Sequence, residues 1–380
     1  MIEVANRLET VSEYYFSKKL QEVALLKANG KPVINLGVGS PDLNPPQKVI
    51  NALTASFNHP QASQYQSYKG LPELREAMVS FYRNQYNVYV SPTTEVLPLM
   101  GSKEGIMHIS MAFLNPGDAV LIPNPGYPTY ASVAKLCGAN PIYYDLHETS
   151  NWLVNFEALE RQDLSKVKIM WVNYPHMPTG ANATEAFFLE LIAFAKRHNI
   201  LIVNDNPYSF ILNDTPKSIL QTPGAKAVCL ELNSLSKTFN MAGWRVGMVL
   251  GQAHYINAIL RVKTNMDSGM LFGIQQAAIQ AMSCSRLWYA SLNQVYKQRQ
   301  ALIWNLANAL NCTYNKQATG LFVWAKLPPY IKAEEFTELL LKDSHIFIAP
   351  GTVFGTNGEG YARFSLCAPT EVIEEAIARV

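Results

Sequence analysis

The feature that most restricts this chain is the alternation, through its middle, of short apolar runs with longer helical patterns. Residues 118–123 (DAVLIP), 141–145 (PIYYD), 167–174 (VKIMWVNY), 200–205 (ILIVND) and 226–232 (KAVCLEL) read as buried strands. Between them, residues 103–114 and 185–198 (EAFFLELIAFAKRH) have the length and spacing of helices. Strands that alternate with helices of this size imply an α/β fold whose large domain holds a mostly parallel, helix-covered sheet. Polar residues then fall just after the strands, at Asn173, Asp205 and 234–237. Sites in such sheets form outside the carboxyl ends of the strands, so chemistry is expected there.

The rhythm changes after about residue 265. A long helical stretch to residue 309 precedes strand candidates at 320–326, 346–349 and 361–367, which predicts a smaller α+β domain. A length of 380 residues also exceeds one ordinary core, since domains run to roughly 100–200 residues. The expected division is a large domain over 46–270 and a small one made of 1–45 with 271–380, the prolines at 41, 45 and 46 marking the entry.

Composition removes several classes of function. A net charge of +2 with no basic run argues against nucleic acid as a partner. The five cysteines lie far apart with no CxxC pair, so neither a zinc site nor a disulfide framework is expected, and no metal is assigned. The first residues lack the basic-then-apolar order of a secretory signal, and no uncharged apolar run has bilayer length. A cytoplasmic protein with no membrane partner is the expectation.

Three short motifs carry chemistry. In Ser234-Leu235-Ser236-Lys237, with Gly243-Trp244-Arg245 following, a lysine stands after a strand end among apolar and glycine-bearing flanks. Such a lysine attacks a carbonyl only when neutral, which desolvation or a neighbouring cation favours. Arg245 offers that cation and a bidentate grip on phosphate. Gly101-Ser102-Lys103 opens a helical pattern, where free N–H groups and the helix dipole attract a phosphate. Alone it reads equally as a turn and cap. Asp205-Asn206-Pro207-Tyr208 follows an apolar strand, so the aspartate can pair with a protonated ring nitrogen and the tyrosine can donate to a phenolic oxygen. Standing alone it reads as an Asx turn.

Together these motifs resemble a fold-type I, class I/II aminotransferase, from about residue 36 to residue 363, and the S-x-S-K-x5-G-x-R string is the most specific part. The resemblance implies pyridoxal 5'-phosphate held as a Schiff base on Lys237, which also shuttles the substrate proton. It implies Asp205 at the pyridine nitrogen, Tyr208 at the ring oxygen, Tyr127 stacked on the ring and Asn173 beside it. Ser102, Lys103, Ser234 and Arg245 would hold the phosphate. Tyr65 would reach a neighbouring subunit's phosphate, so a homodimer with shared active sites follows. Gly37 would lie beside the substrate and Arg363 would clamp its α-carboxylate.

One position departs from the pattern. The family usually reads Asn-Pro-Thr-Gly where this chain has Met177-Pro178-Thr179-Gly180. The asparagine normally donates to the cofactor's phenolic oxygen, and methionine has no donor. A raised Schiff-base pKa is therefore expected, unless Asn173 or His176 takes over the role.

Amino transfer from an L-amino acid to a 2-oxo acid is the leading reading, with C–S β-elimination, decarboxylation and racemisation open to the same scaffold. A ligand-sensing regulator would need a DNA-binding segment ahead of residue 35. A nicotinamide-dependent protein would need the missing GxGxxG. Large apolar or aromatic donors stay possible.

Overall fold

The computed structural model describes residues 2–380. Its largest sheet has seven strands in the order Val96–Leu99, Gly247–Leu250, Cys229–Ser234, Leu201–Asp205, Val167–Val172, Ala119–Asn124 and Asn140–Asp145. Gly247–Leu250 runs antiparallel to both its neighbours and the remaining pairings are parallel. The sheet is thus mostly parallel and helix-covered, in agreement with the alternation in the sequence. Its central strands are buried on both faces. Leu121 and Met170 enter one apolar cluster, and Val120, Ile122, Ile169 and Trp171 enter the other. Continuous runs such as IMWV supply apolar side chains to both sides at once.

The five expected strands are present, with ends shifted by up to three residues. Val167–Val172 stops before Asn173, which turns into the site, and Tyr174, whose hydroxyl donates to the Trp152 carbonyl. Cys229–Ser234 starts later than residue 226, because Ala225–Ala227 forms a 3-10 turn after left-handed Gly224. The strands Val96–Leu99 and Gly247–Leu250 escaped the sequence reading; each has four residues, too short a run for period alone to mark.

Helix Glu185–His198 shows how the local sequence sets an element. Thr184 Oγ1 accepts from Phe187 N at 3.1 Å, three basic residues fill the last turn and Asn199 takes a left-handed conformation at φ 53°. The expected long helix before residue 309 is two helices, Phe272–Met282 and Arg286–Ala309. The first lies beyond the expected boundary at residue 270, yet it packs on Gln47–Ser56 and Pro72–Tyr86.

A four-stranded antiparallel sheet holds Ala349–Pro350, Tyr361–Ser365, Phe322–Lys326 and Thr313–Tyr314. The run at 346–349 therefore divides, since Ile346–Phe347 instead pairs in parallel with Ile34–Asn35. That pairing draws the N-terminal segment onto the C-terminal part of the chain.

Candidate active site

Asn173, Asp205 and Ser234 stand at the carboxyl ends of three adjacent strands, and they line a cavity of about 610 Å³. Ser102, Lys103, Tyr127, Tyr208, Lys237, Arg245 and Arg363 line the same cavity. Gly37 does not, although its neighbours Val38 and Gly39 do. Tyr65 lies elsewhere, 91 % exposed.

Lys237 sits in the one-turn helix Leu235–Thr238, and its Nζ donates to the Gly39 carbonyl. Burial lowers its pKa, and the charges of Arg363 and Arg245 push the same way. Burial disfavours an ammonium, so a neutral amine is within reach. Asp205 ends its strand with Oδ2 accepting from Tyr130 OH at 2.9 Å. Its Oδ1 is buried and has no hydrogen-bond partner among the described residues. Desolvation raises the carboxyl pKa to about 6, opposed by the Tyr130 bond. A buried acceptor facing a cavity without a donor is suited to a cationic N–H from a bound ring.

The end expected to hold a phosphate combines a helix start, Ser102, Ser234 and Ser236, and the cations Lys103 and Arg245. Helix Ser102–Phe113 begins after Gly101 at φ 90°, and a Cβ there would fall 2.1 Å from Arg245 Nη2. Glycine is required so that the guanidinium can lie against the helix start. Arg245 is itself left-handed at φ 56°, with Nη1 donating to the Ala242 carbonyl at 2.9 Å. Ser234 and Ser236 share a hydroxyl bond of 2.7 Å beside it. Lys103 Nζ lies 4.6 Å over the Tyr14 ring, and burial lowers its pKa.

The opposite end centres on Arg363, which strand Tyr361–Ser365 carries in from the smaller sheet. Its guanidinium carbon lies 3.9 Å from the ring centre of Phe322, 4.6 Å from Phe354 and 5.3 Å from Phe16. Nη2 donates to the Gly37 carbonyl at 2.7 Å, and Nε is buried without a partner among the described residues. Desolvation lowers its pKa to about 10, so it remains a cation at neutral pH. A buried guanidinium with an open N–H calls for an anion.

The sequence reading missed the N-terminal helix Tyr15–Ala28, which brings Phe16, Ser17 and Leu20 to the cavity beside Tyr14. It also missed Tyr130, stacked on Trp171 at 4.8 Å, and Phe322. No local pattern distinguishes these aromatics from core residues. Away from the cavity, Glu104, His108 and Asp267 place ligand-type atoms within 4.8 Å of one another. Lys263 already holds both oxygens of Asp267, at 2.9 and 2.7 Å, so that cluster carries its own cation.

A buried lysine, a buried carboxylate with a free oxygen, a helix start beside one arginine and a second, buried arginine surround one cavity, an arrangement that suits a fold-type I pyridoxal-phosphate site. The residues present fit that cofactor. The aminotransferase class I and II family matches residues 31–380, and the chain belongs to it. It is thus a pyridoxal-phosphate-dependent aminotransferase. An LL-diaminopimelate aminotransferase of Dehalococcoides mccartyi is 39 % identical over 381 residues, covering 100 % of this chain and 98 % of the relative. The apo structure of BacF from Bacillus subtilis superposes with a TM-score of 0.96 at 36 % identity, covering 100 % of this chain and 98 % of that one. The aromatic aminotransferase of Pyrococcus horikoshii gives 0.89 at 29 % identity, covering 98 % and 96 %.

Proposed function

We propose that this aminotransferase takes its amino group from an L-amino acid with a large apolar or aromatic side chain, in a homodimer whose two sites are shared. The observation that carries the substrate reading is the wall facing Arg363. Phe16, Leu20, Val38, Met177 and Phe322 line it, while the cavity's cations have other work at the phosphate, the carboxylate and the amine. Burying an apolar side chain there gains about 25 cal/mol per Å². The structural likeness to an aromatic aminotransferase points the same way. The second reading rests on the curated relatives, which are LL-diaminopimelate aminotransferases.

Each residue then has a role. The cofactor, when bound, supplies a ring that draws electrons from the substrate's α-carbon. Lys237 Nζ, whose pKa burial lowers, takes the proton from that carbon and returns it. Asp205 Oδ1 holds the proton on the ring nitrogen. Tyr208, whose own ionisation burial opposes, stays an O–H donor to the ring oxygen. Arg363 fixes the α-carboxylate, which decides which bond at the α-carbon faces the ring. Gly101, Ser102, Ser234 and Arg245 anchor the phosphate.

The test is the half-reaction. Single amino acids are added to the yellow, cofactor-loaded protein without a keto acid, and conversion to the pyridoxamine form is followed by absorbance. Phenylalanine or leucine should convert it at least tenfold faster than LL-diaminopimelate; the reverse order would favour the second reading. A yellow colour that persists while pyruvate and ammonia accumulate from cysteine conjugates would make the protein a C–S β-lyase.

The homodimer is supported by Tyr65, exposed and outside the cavity of its own chain, with Tyr68, Met266 and Leu271 also exposed. Sedimentation equilibrium at twice the chain mass is the expected result. Five unpaired cysteines favour the reducing cytoplasm.

A further inference from the structure

Met177 stands between the two ends of the cavity, and three observations give it a task. Its Sδ accepts from Arg363 Nη1 at 3.3 Å, and the residue is only 5 % exposed. Asn173 has both ends of its amide engaged. Its Nδ2 donates to the Asp205 carbonyl, and its Oδ1 accepts from Met177 N at 2.8 Å. His176 faces away, its Nδ1 paired with Thr179 Oγ1 at 2.8 Å, and it does not line the cavity. Desolvation lowers its pKa to about 3, so it is neutral. Asn173 is therefore committed elsewhere, and His176, whose Nε2 is buried without a partner among the described residues, lies outside the cavity lining.

A thioether sulfur is a weak acceptor. A guanidinium N–H resting on it is oriented at little depth, whereas a carboxylate accepts a charge-assisted pair about twice as strong as a neutral bond. The arginine thus waits in place and gives up little when substrate arrives. We propose that Met177 is a positioning residue, whose sulfur holds Arg363 by a contact weak enough to yield to a substrate carboxylate, and whose lack of a donor leaves Tyr208 as the one side-chain donor to the cofactor's ring oxygen. The inference rests on the reading of this cavity as the pyridoxal-phosphate site.

A spectroscopic consequence follows. With one donor fewer, negative charge on the ring oxygen is less stabilised, so the proton on the Lys237 nitrogen is kept to higher pH. The groups whose charge bears on that nitrogen are Arg363, Arg245 and Cys367. Asp205, Tyr208, Tyr127, Tyr14 and Lys103 line the rest of the cavity. Of these only Arg363 touches residue 177, and the leucine variant removes that sulfur contact without adding a donor, so a shift confined to the donor variant reports the donor.

The experiment compares Met177→Asn, which restores a donor, with Met177→Leu, which keeps the size without sulfur or donor. Met177→Gln, a donor on a side chain of methionine's length, stands in should the asparagine variant fail to fold. Absorbance titration of the loaded proteins should show the midpoint falling by about one pH unit in the donor variant, one ordinary hydrogen bond's worth. It should stay within about 0.3 unit in the leucine variant. Calorimetry of hydrocinnamate, a carboxylate with no amino group to react, is run on cofactor-free protein. The leucine variant should bind within about threefold of wild type, as a weak contact allows. An unchanged or raised midpoint in the donor variant, or a tenfold change in hydrocinnamate affinity in the leucine variant, overturns the proposal. Absence of a Lys237-dependent yellow colour in wild type would instead strike at the cofactor reading itself.

Discussion

The two ends of the cavity are built on different principles. At the phosphate end, Gly101, Ser102, Ser234 and Arg245 come from strand ends and a helix start of one sheet, and the groups are preset by backbone geometry. At the carboxylate end, Arg363 arrives from the second sheet, Gly37 from the N-terminal segment and Met177 from the large sheet's loops, under three aromatic rings. On the proposed function the first end holds a resident group and can be rigid. The second would accept and release substrate, and one of its arginine's partners is a weak sulfur acceptor. The first end joins two segments, 101–102 and 234–245, of the large sheet, whereas the second is assembled from both sheets and the N-terminal segment.

The sharpest blow to the whole cavity is Lys237→Ala. With the amine gone, the half-reaction should slow by at least about 10⁴-fold, and the yellow chromophore should be lost while the fold is kept. Retained conversion would remove Lys237 from the mechanism.

Arg363→Ala attacks the exchange end alone. Losing a buried charge-assisted pair should lower kcat/KM by about 10² to 10³-fold while cofactor affinity stays within about threefold. A matching loss of cofactor affinity would dissolve the contrast between the two ends.

Asp205 supplies a pH test in the cofactor-free protein. Its pKa is near 6 when folded, and about 4 in an unfolded chain. The folded chain thus keeps a proton that the unfolded chain has lost. Its stabilising effect is fully present below about pH 4 and fades as pH rises to about 6, a span of about 3 kcal/mol. In Asp205→Asn that slope should vanish, as thermal melts at pH 4 and pH 7 would reveal. An identical slope in both proteins would mean the carboxyl is not the group that titrates.

At the cradle, Gly101→Ala forces a Cβ onto Arg245 at a positive φ. Cofactor affinity should fall by about tenfold or more in a fluorescence titration, with hydrocinnamate binding unchanged. The smallest effect belongs to Tyr65→Phe, about threefold to tenfold weaker cofactor binding, as one hydrogen bond across a subunit boundary allows. No change at all would separate Tyr65 from the shared site.

The same contrast decides what could be read in advance. The strands, Lys237, Asp205 and the Gly101-Ser102 cradle were legible because each motif is contiguous and its chemistry lies within a few residues. The short strands Val96–Leu99 and Gly247–Leu250 were not, since four residues give too little periodicity. Tyr14, Phe16 and Leu20 were illegible too, since aromatic and aliphatic residues near a helix start serve the core more often than a site. The break between Met282 and Arg286 depended on packing against Gln47–Ser56.

By itself the sequence determined a mostly parallel sheet, because apolar runs long enough to fill both faces leave that sheet few alternatives. It also pointed to the cofactor, through the family resemblance carried by Gly101-Ser102, Asp205 and Lys237 in that chain order. Only the tertiary structure decided who meets Arg363. The guanidinium's partners, Gly37, Met177 and the three phenylalanines, are separated from it by up to 347 positions of chain order that no local rule connects, as Phe16 against Arg363 shows. Burial gives those contacts their consequence for the proposed function, since a desolvated cation with one N–H open would bind a carboxylate more firmly than an arginine in water.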